Sequence, residues 1–326
     1  MAEITLVQAI NLALARAMTE NAAVIVLGED VGIEGGVFRA TDGLQRHFGT
    51  DRVLDTPLAE TTIAGLSVGL AAQGFCPVAE IQFTGFIYPT IDQIVNHAAR
   101  LRTRTRGRLT CPLVLRAPYG GGIRAIEHHS ESPEAIFAHI PGLRMVIPSS
   151  PSRAYGLLLA AIRDPDPVVF FEPTRLYRAA REEVADDGAA FPLDRAFVLR
   201  EGSDITLVTW GAMITETAAA AERLAEEGVS AEILDLATLK PLDVAAVLAS
   251  VGKTGRCVII HEAALSGGVG AEIAARLAEG GLTSLLAPVE RVTGWDTVMP
   301  LPRLERHYLP STARVLAAAH RALAYQ

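Results

Sequence analysis

The chain has 326 residues, of which half are hydrophobic and a fifth are charged. This composition fits a compact chain long enough for two domains, and it excludes a disordered or coiled-coil protein. The formal net charge is -8 and the one basic run, in which arginines alternate from Arg100 to Arg108, has no interleaved aromatic residues, so nucleic acid is not an expected partner.

Targeting and cysteine features favour a cytoplasmic protein without a membrane partner. No stretch reaches the roughly 20 apolar residues that a membrane span needs, and residues 1–20 lack the basic start and the cleavage-like ending of a signal peptide. The three cysteines, Cys76, Cys111 and Cys257, are far apart and odd in number. They match neither a disulfide framework nor a zinc site, and they indicate a reducing compartment.

Hydrophobic periodicity predicts a first α/β segment. Apolar residues recur on one face of residues 5–19, which predicts an amphipathic helix, and a continuous apolar run over residues 23–27 predicts a buried parallel strand. The alternation continues along the chain. Further strands are predicted at 53–54, 78–83, 113–116, 145–147 and 168–171, and further helices at 88–104, 133–138 and 153–162.

The helix after Glu60 is distinctive because it consists almost wholly of Ala, Gly, Ile, Leu and Val. Since it lacks a charged face, the sequence predicts that it is buried on all sides. Glu60 at its start has two readings that the pattern alone leaves open. It is either a first-turn carboxylate that complements the helix dipole or a desolvated acid or base.

Residues 173–195 interrupt the alternation with two prolines and an acidic run, and they are the best linker candidate. Beyond them the β/α pattern resumes. Strands are predicted at 205–210, 231–236, 256–261 and 285–289, and helices at 214–227, 243–251, 271–279 and 312–324. Both segments therefore predict mostly parallel sheets covered by helices.

Polar and aromatic residues follow three of the predicted strands. Glu60 follows the second strand, Phe86 the third, and the adjacent pair His128 and His129 lies in a glycine-rich loop after the fourth. In a doubly wound sheet such ends meet at one edge, which predicts a pocket there. A histidine in that loop is suited to proton transfer. Phe86 could present a ring face to a flat ligand, but taken alone it is more consistent with a core aromatic than with a stacking platform.

Several motifs extend, in order, over essentially the whole chain. They are Leu27-Gly28-Glu29-Asp30-Val31, Asp55-Thr56-Pro57-Leu58-Ala59-Glu60, Glu80-Ile81-Gln82-Phe83, His128-His129-Ser130-Glu131-Ser132-Pro133-Glu134, Phe170-Phe171-Glu172-Pro173 and Tyr308-Leu309-Pro310. Together they resemble the beta subunits of thiamine-diphosphate-dependent 2-oxo acid dehydrogenases. The histidine pair and the Glu-Ile-Gln-Phe stretch resemble most the branched-chain 2-oxo acid group, and pyruvate and acetoin dehydrogenase beta subunits are the alternatives.

The resemblance implies a transketolase-like α/β fold with two doubly wound, mostly parallel-sheet domains. A pyrimidine-binding domain is expected at residues 1–180, a linker at 181–195, and a transketolase C-terminal domain for subunit assembly and docking at 196–326. It also implies oxidative decarboxylation of a small 2-oxo acid and reductive acylation of lipoamide on a lipoyl-bearing acyltransferase core. An inert α/β binding or scaffold protein is the remote alternative.

Four site residues follow from the resemblance. Glu60 matches the acid that hydrogen-bonds the aminopyrimidine of thiamine diphosphate, where burial would disfavour the ionised carboxylate and so raise its affinity for a proton. Phe86 matches the ring that stacks on the pyrimidine, and Glu29 matches a second acid near the cofactor. His129 matches a histidine near the reacting carbon that positions groups or transfers a proton during acyl transfer.

Metals and a second subunit are also implied. Relatives hold potassium at positions that match Leu113, Ala161, Ile162, Asp164 and Asp166, the last replacing an Asn common in relatives. The Gly-Asp-Gly signature by which this superfamily holds magnesium and diphosphate does not occur in the sequence. The resemblance therefore implies that an alpha subunit holds magnesium and the diphosphate, in an alpha2–beta2 heterotetramer.

Overall fold

The structure is a computed structural model that describes residues 2–325. It contains two compact units. The first unit runs up to Tyr119 and resumes at Ile136–Leu193, and the second comprises Gly120–Ala135 and the chain from Asp194 onward. The glycine-rich loop with the histidine pair thus belongs to the second unit.

The first unit alternates strands and helices along the chain. Its strands are β1 (Ala2–Thr5), β2 (Val24–Gly28), β3 (Val53–Asp55), β4 (Cys76–Glu80), β5 (Val114–Tyr119), β6 (Arg144–Val146), β7 (Val168–Pro173) and β8 (Arg181–Val184). Its α-helices are α1 (Leu6–Glu20), α2 (Leu44–Phe48), α3 (Glu60–Ala72), α4 (Leu101–Arg104), α5 (Glu134–His139), whose first two residues group with the second unit, and α6 (Pro151–Arg163).

Six strands of this unit form a parallel sheet in the order β6-β7-β5-β4-β2-β3. Strands β2, β5 and β7 are buried at every residue, as expected of parallel strands covered on both faces. Helix α1 buries the predicted face with Leu6, Ile10, Leu14 and Met18, and it packs against α6. The prediction of a parallel sheet covered by helices is confirmed for this unit.

The predicted linker region includes β8, which pairs antiparallel with β1. The segment predicted as a helix at 88–104 is helical throughout, but it consists of 3-10 turns, a π-helix at Asp92–His97 and α4 and is not a single α-helix. One prediction for this unit is wrong. Helix α3 is not buried on all sides, because Thr62, Leu66 and Gly69 are exposed. The polar residues on its exposed face are threonines, so the amino-acid composition does not distinguish this face from the buried faces of the helix.

The second unit has a smaller sheet. Its strands are β9 (Phe197–Arg200), β10 (Ile205–Thr209), β11 (Ala231–Asp235), β12 (Thr238–Lys240), β13 (Cys257–Ile260) and β14 (Glu290–Val292). Its α-helices are α7 (Ile214–Glu226), α8 (Val244–Thr254), α9 (Val269–Gly280), α10 (Glu305–Tyr308) and α11 (Thr312–Ala324).

Five of these strands form a sheet in the order β14-β13-β10-β11-β9. Only β9 runs antiparallel to its neighbour. The strand predicted at 285–289 is wrong, because the sheet takes its edge strand from β14 further along the chain. Across residues 2–325, every helix is too short or too polar to cross a lipid bilayer.

Candidate functional site

Three neighbouring strands of the first unit end beside residues that the sequence singled out. Glu29 directly follows β2, Glu60 starts the helix after β3, and Phe86 lies in the short helix after β4. These strands are parallel, and their last residues are in register with one another. The structure therefore brings Glu29, Glu60 and Phe86 to one edge of the sheet, where open α/β sheets bind ligands.

The two carboxylates at this edge influence each other. Partial burial, the adjacent Asp30 and the Glu60 carboxylate together raise the pKa of Glu29, with burial the largest effect. Glu60 is half-buried at the first turn of α3 and has no hydrogen-bond or ion-pair partner among the described residues. A pair of interacting acids at a strand edge is suited to holding a proton and to binding a polar ring.

The loop between β2 and α2 is shaped by glycines that pass close to other groups. The Gly32 amide donates to the Asp55 carboxylate at 2.6 Å, and a Cβ at Gly32 would lie 2.3 Å from that carboxylate. Gly36 has a φ of 74°, and a Cβ there would lie 2.8 Å from Glu80 Oε1. Only glycine fits at these two positions, because a side chain would displace acids that the sheet edge uses.

Phe86 belongs to an aromatic cluster beside this edge. Its ring packs edge-on against Phe83 with centroids 6.2 Å apart, and Phe83 packs edge-on against Phe38 at 5.4 Å. Phe38 in turn contacts Tyr177 at 5.2 Å. Phe86 remains half-buried, so part of its ring is available to a flat ligand.

A buried ionic network underlies the aromatic cluster, and the sequence analysis missed it. Arg116 on β5 donates to Glu80 on β4 at 2.8 Å and to both oxygens of Glu172 on β7 at 2.6 and 3.0 Å. The Tyr177 hydroxyl donates to Glu172 at 2.6 Å. The signal that could have revealed it is a charged residue inside each of three apolar strand runs, because such residues are buried only when paired.

Burial dominates the ionisation of this network. Burial raises the pKa of Glu80, and the neighbouring Arg116 only partly opposes that effect. Burial alone would lower the pKa of Arg116, but Glu172 and Glu80 reverse the shift and raise it. Burial and then Glu172 hold the pKa of Tyr177 well above its usual value. Two carboxyls thus share one permanently charged guanidinium.

The histidine pair lies in the second unit, in a short helix at Glu127–His129. The two imidazole rings contact each other edge-on at 4.4 Å. Partial burial and then the neighbouring His128 lower the pKa of His129 below its usual 6.5. At neutral pH His129 is therefore a neutral imidazole that is able to accept a proton.

Buried acids of the second unit hold the glycine-rich loop, and the sequence did not assign them this role. Glu262 accepts from the Gly121 amide at 2.8 Å, and Glu305 accepts from the Gly122 amide at 2.7 Å. Burial, followed by nearby acids that include Glu134 and Glu262, raises the pKa of Tyr308 to about 12. The start of α9 is closely packed, because a Cβ at Gly268 would lie 2.9 Å from the His261 ring.

The positions that match the potassium site lie together in the first unit, but their acids already have cationic partners. Arg102 Nε is 2.7 Å from Asp166 Oδ1, and Arg144 Nε is 2.8 Å from Asp164 Oδ2. Residues 2–325 contain no group of three or more His, Cys, Asp or Glu side chains that could hold a metal ion. The carboxylates of Asp164 and Asp166 thus each face an arginine side chain.

Both halves of the chain match known domain families. Residues 2–180 match the transketolase pyrimidine-binding domain, and residues 194–315 match the transketolase C-terminal domain. The chain is 24% identical to a split-gene transketolase, described as an inactive beta4 tetramer, with a TM-score of 0.82 over 99% of each chain. That likeness concerns the fold alone, and it confirms the transketolase-like architecture.

Curated relatives match along the whole chain. The pyruvate dehydrogenase E1 component subunit beta of Acholeplasma laidlawii is 49% identical over 317 residues, which is 97% of each chain. The subunit of the same name from Bacillus subtilis is 47% identical over 325 residues, which is 100% of each chain. With both domain matches in order, the chain belongs to the family of thiamine-diphosphate-dependent 2-oxo acid dehydrogenase beta subunits.

Proposed function

We propose that this chain supplies the pyrimidine-binding half of the active site in the decarboxylating component of a 2-oxo acid dehydrogenase. The reaction is the oxidative decarboxylation of a small 2-oxo acid, followed by reductive acylation of lipoamide on an acyltransferase core. The observation that carries the proposal is the meeting of Glu29, Glu60 and Phe86 at one sheet edge in the unit that matches a pyrimidine-binding domain.

The residues at this edge fit the aminopyrimidine of thiamine diphosphate. When bound, the cofactor would supply an electron sink for the electron pair that remains when carbon dioxide leaves. Glu60 would hold the ring through a hydrogen bond between its carboxyl group and a ring nitrogen, and Phe86 would offer the exposed part of its ring for stacking. Glu29 is a second acid near Glu60, and partial burial, followed by the charges of Asp30 and Glu60, raises its pKa.

His129 is proposed to act later in the reaction. As a neutral imidazole it accepts or returns a proton while the acyl group passes to lipoamide. Glu262 and Glu305 accept hydrogen bonds from the Gly121 and Gly122 amides, and these bonds position the start of the loop that carries His129. These two acids are positioning residues, because their carboxylates bind the backbone of the loop.

An alpha subunit is proposed to complete the site in an alpha2–beta2 heterotetramer. The sequence lacks the signature for diphosphate and magnesium, so we assign both to that subunit. Helix α3 supports a partner, because Thr62, Leu66 and Gly69 form one exposed face of the helix that begins at Glu60. Leu66 is 44% exposed in the free chain, and a covering helix would bury it.

The proposed location is the cytoplasm. All three cysteines are free, and two of them are buried. Free cysteines fit a reducing compartment. The second unit is proposed to contribute to subunit assembly and to docking of the acyltransferase core.

Substitution of Gly69 by leucine should block assembly with the alpha subunit without unfolding the chain. A Cβ at Gly69 meets no atom within 4 Å, so the free chain has room for the side chain. Leucine is also a better helix former than glycine by about 1 kcal/mol. Size-exclusion chromatography with light scattering should show heterotetramer for the parent and separate subunits for the G69L variant.

The matched control is Gly252→Leu on exposed α8, where a Cβ also meets no atom within 4 Å. G252L should assemble like the parent. Assembly of G69L at the parent's affinity would remove α3 from the proposed interface.

The first candidate substrate is pyruvate, because the curated relatives described above are named as pyruvate dehydrogenase subunits. A branched-chain 2-oxo acid is the second candidate, favoured by the His128-His129 pair and the Glu-Ile-Gln-Phe stretch. With the reconstituted heterotetramer, we expect kcat/KM for pyruvate to exceed that for 2-oxoisovalerate by at least about 10-fold, the discrimination typical of a pocket that reads methyl groups.

The measurement is the decarboxylation rate with each acid and the oxidation rate with acetoin as a third substrate. A preference for 2-oxoisovalerate would establish the second candidate instead. The absence of turnover on all three substrates, in an assembled and cofactor-loaded complex, would contradict the proposed class of reaction.

A further inference from the structure

The turn after α6 is held by two arginines that come from other parts of the first unit. Asp164 pairs with Arg144 at the start of β6, and Asp166 pairs with Arg102 of α4. The two acids are also joined to each other, because the Asp166 amide donates to Asp164 Oδ1 at 2.8 Å. The turn therefore connects the end of one helix to two neighbouring segments through charged contacts.

The backbone oxygens nearby are engaged as well. The Ala161 carbonyl accepts from the Asp164 amide at 3.3 Å, and the Leu113 carbonyl accepts from the Val168 amide at 2.9 Å. Potassium is bound by rings of carbonyl and carboxylate oxygens that replace its water shell. Here the Ala161 and Leu113 oxygens each accept from one protein amide.

The charge balance of the turn also opposes a further cation. The two carboxylates face two guanidinium groups, so the pairs are neutral before any ion binds. Arg102 Nε donates to Asp166 Oδ1 at 2.7 Å.

We propose that Arg102 and Arg144 take the place that a monovalent cation occupies in relatives, so that this chain holds the turn without potassium. The resemblance implies an asparagine at the position of Asp166, and the carboxylate found here instead carries the charge that Arg102 neutralises. This inference is independent of the proposed reaction, because its readouts are stability and ion binding.

The first test compares thermal unfolding of the full chain in potassium, sodium and choline chloride at equal ionic strength. We expect the three midpoints to agree within about 1 °C, since a bound ion would raise the midpoint with its concentration. A midpoint that rises with potassium but not with sodium or choline would overturn the proposal.

The second test uses Arg102→Gln, with Arg223→Gln as the matched control because Arg223 forms an exposed pair with Glu226. In choline chloride, R102Q should unfold at a lower temperature than R223Q. Equal midpoints would show that Arg102 does not hold the turn. Crystals of the parent soaked in a thallium(I) salt should show no anomalous peak within the turn, and a peak among Ala161, Asp164 and Asp166 would contradict the inference.

Discussion

Replacement of Glu60 by glutamine is expected to lower the turnover of the reconstituted heterotetramer by about 10²–10⁴-fold, the usual contribution of a positioned acid or base. The amide is nearly isosteric but does not exchange a proton at this position. Because Glu60 has no ion-pair or hydrogen-bond partner within the described residues, its loss should leave the fold intact. Steady-state decarboxylation and size-exclusion chromatography measure the two effects.

The same variant separates the catalytic reading of Glu60 from the simpler one. If Glu60 only complements the dipole of α3, E60Q should cost about 0.3–1 kcal/mol of stability and leave turnover near normal. That result would favour the inert binding or scaffold reading of the chain. Glu226→Gln on exposed α7 is the control for a carboxylate-to-amide change, and it should keep the parent's activity.

The sequence predicted the architecture because buried parallel strands have an unmistakable pattern. Continuous apolar runs such as Val24–Gly28 and residues 168–171 have few alternatives once glycine and proline mark their ends. The strand β8 was missed because it is acidic and lies at an edge, where pairing with β1 depends on a distant segment. The prediction of a strand at 285–289 failed for the same reason, because contacts with neighbouring strands determine which short segment joins the sheet.

The position of the site was predictable because it depends on the order of successive parallel strands in the sheet. Polar residues after successive strands were expected to meet, and Glu29, Glu60 and Phe86 do so. The burial of α3 was not predictable from its composition, because an apolar helix face looks the same whether its own chain or a partner covers it. The role of His129 and the part played by a second subunit remain proposals that rest on family resemblance.

The ionic network was not predictable because its members are far apart in sequence. Arg116, Glu80 and Glu172 are brought together by the order of β4, β5 and β7, and each reads in isolation as an oddity within an apolar strand. One arginine and two glutamates on three strands indicate an ionic network only once the strands are known to be neighbours. Loss of one partner from this buried network is expected to have a large effect on the free energy of unfolding.

Replacement of Arg116 by methionine is expected to lower the free energy of unfolding by about 3–5 kcal/mol, the cost of leaving buried charges without their partner. Arg116 is 1% exposed, and the change leaves Glu80 and Glu172 facing each other with no cation. Chemical denaturation at neutral pH measures the loss. The control is Arg276→Met on exposed α9, whose pair with Glu272 should be worth less than about 0.5 kcal/mol.

A triple variant tests whether the loss comes from unpaired charge. In E80Q/R116M/E172Q all three ionisable groups are gone, so stability should recover a large part of the difference, because a buried ion pair replaced as a whole is often close to neutral. A triple variant as unstable as R116M would assign the loss to packing around the methionine. Activity is not needed for this comparison.

The pH dependence of the R116M defect follows from the direction in which Glu80 is already shifted. Burial raises its pKa above the ordinary 4.5 while Arg116 opposes the rise, so removing Arg116 raises the pKa further. A carboxyl whose folded-state pKa exceeds its unfolded value contributes stability that is present below the unfolded pKa and lost as pH rises through the folded pKa. The difference between parent and R116M should therefore be largest at neutral pH and shrink as pH falls toward 4.5. A defect that stays constant over this range would mean that Glu80 and Glu172 take up no proton when Arg116 is lost, and that the network is held by shape and not by charge.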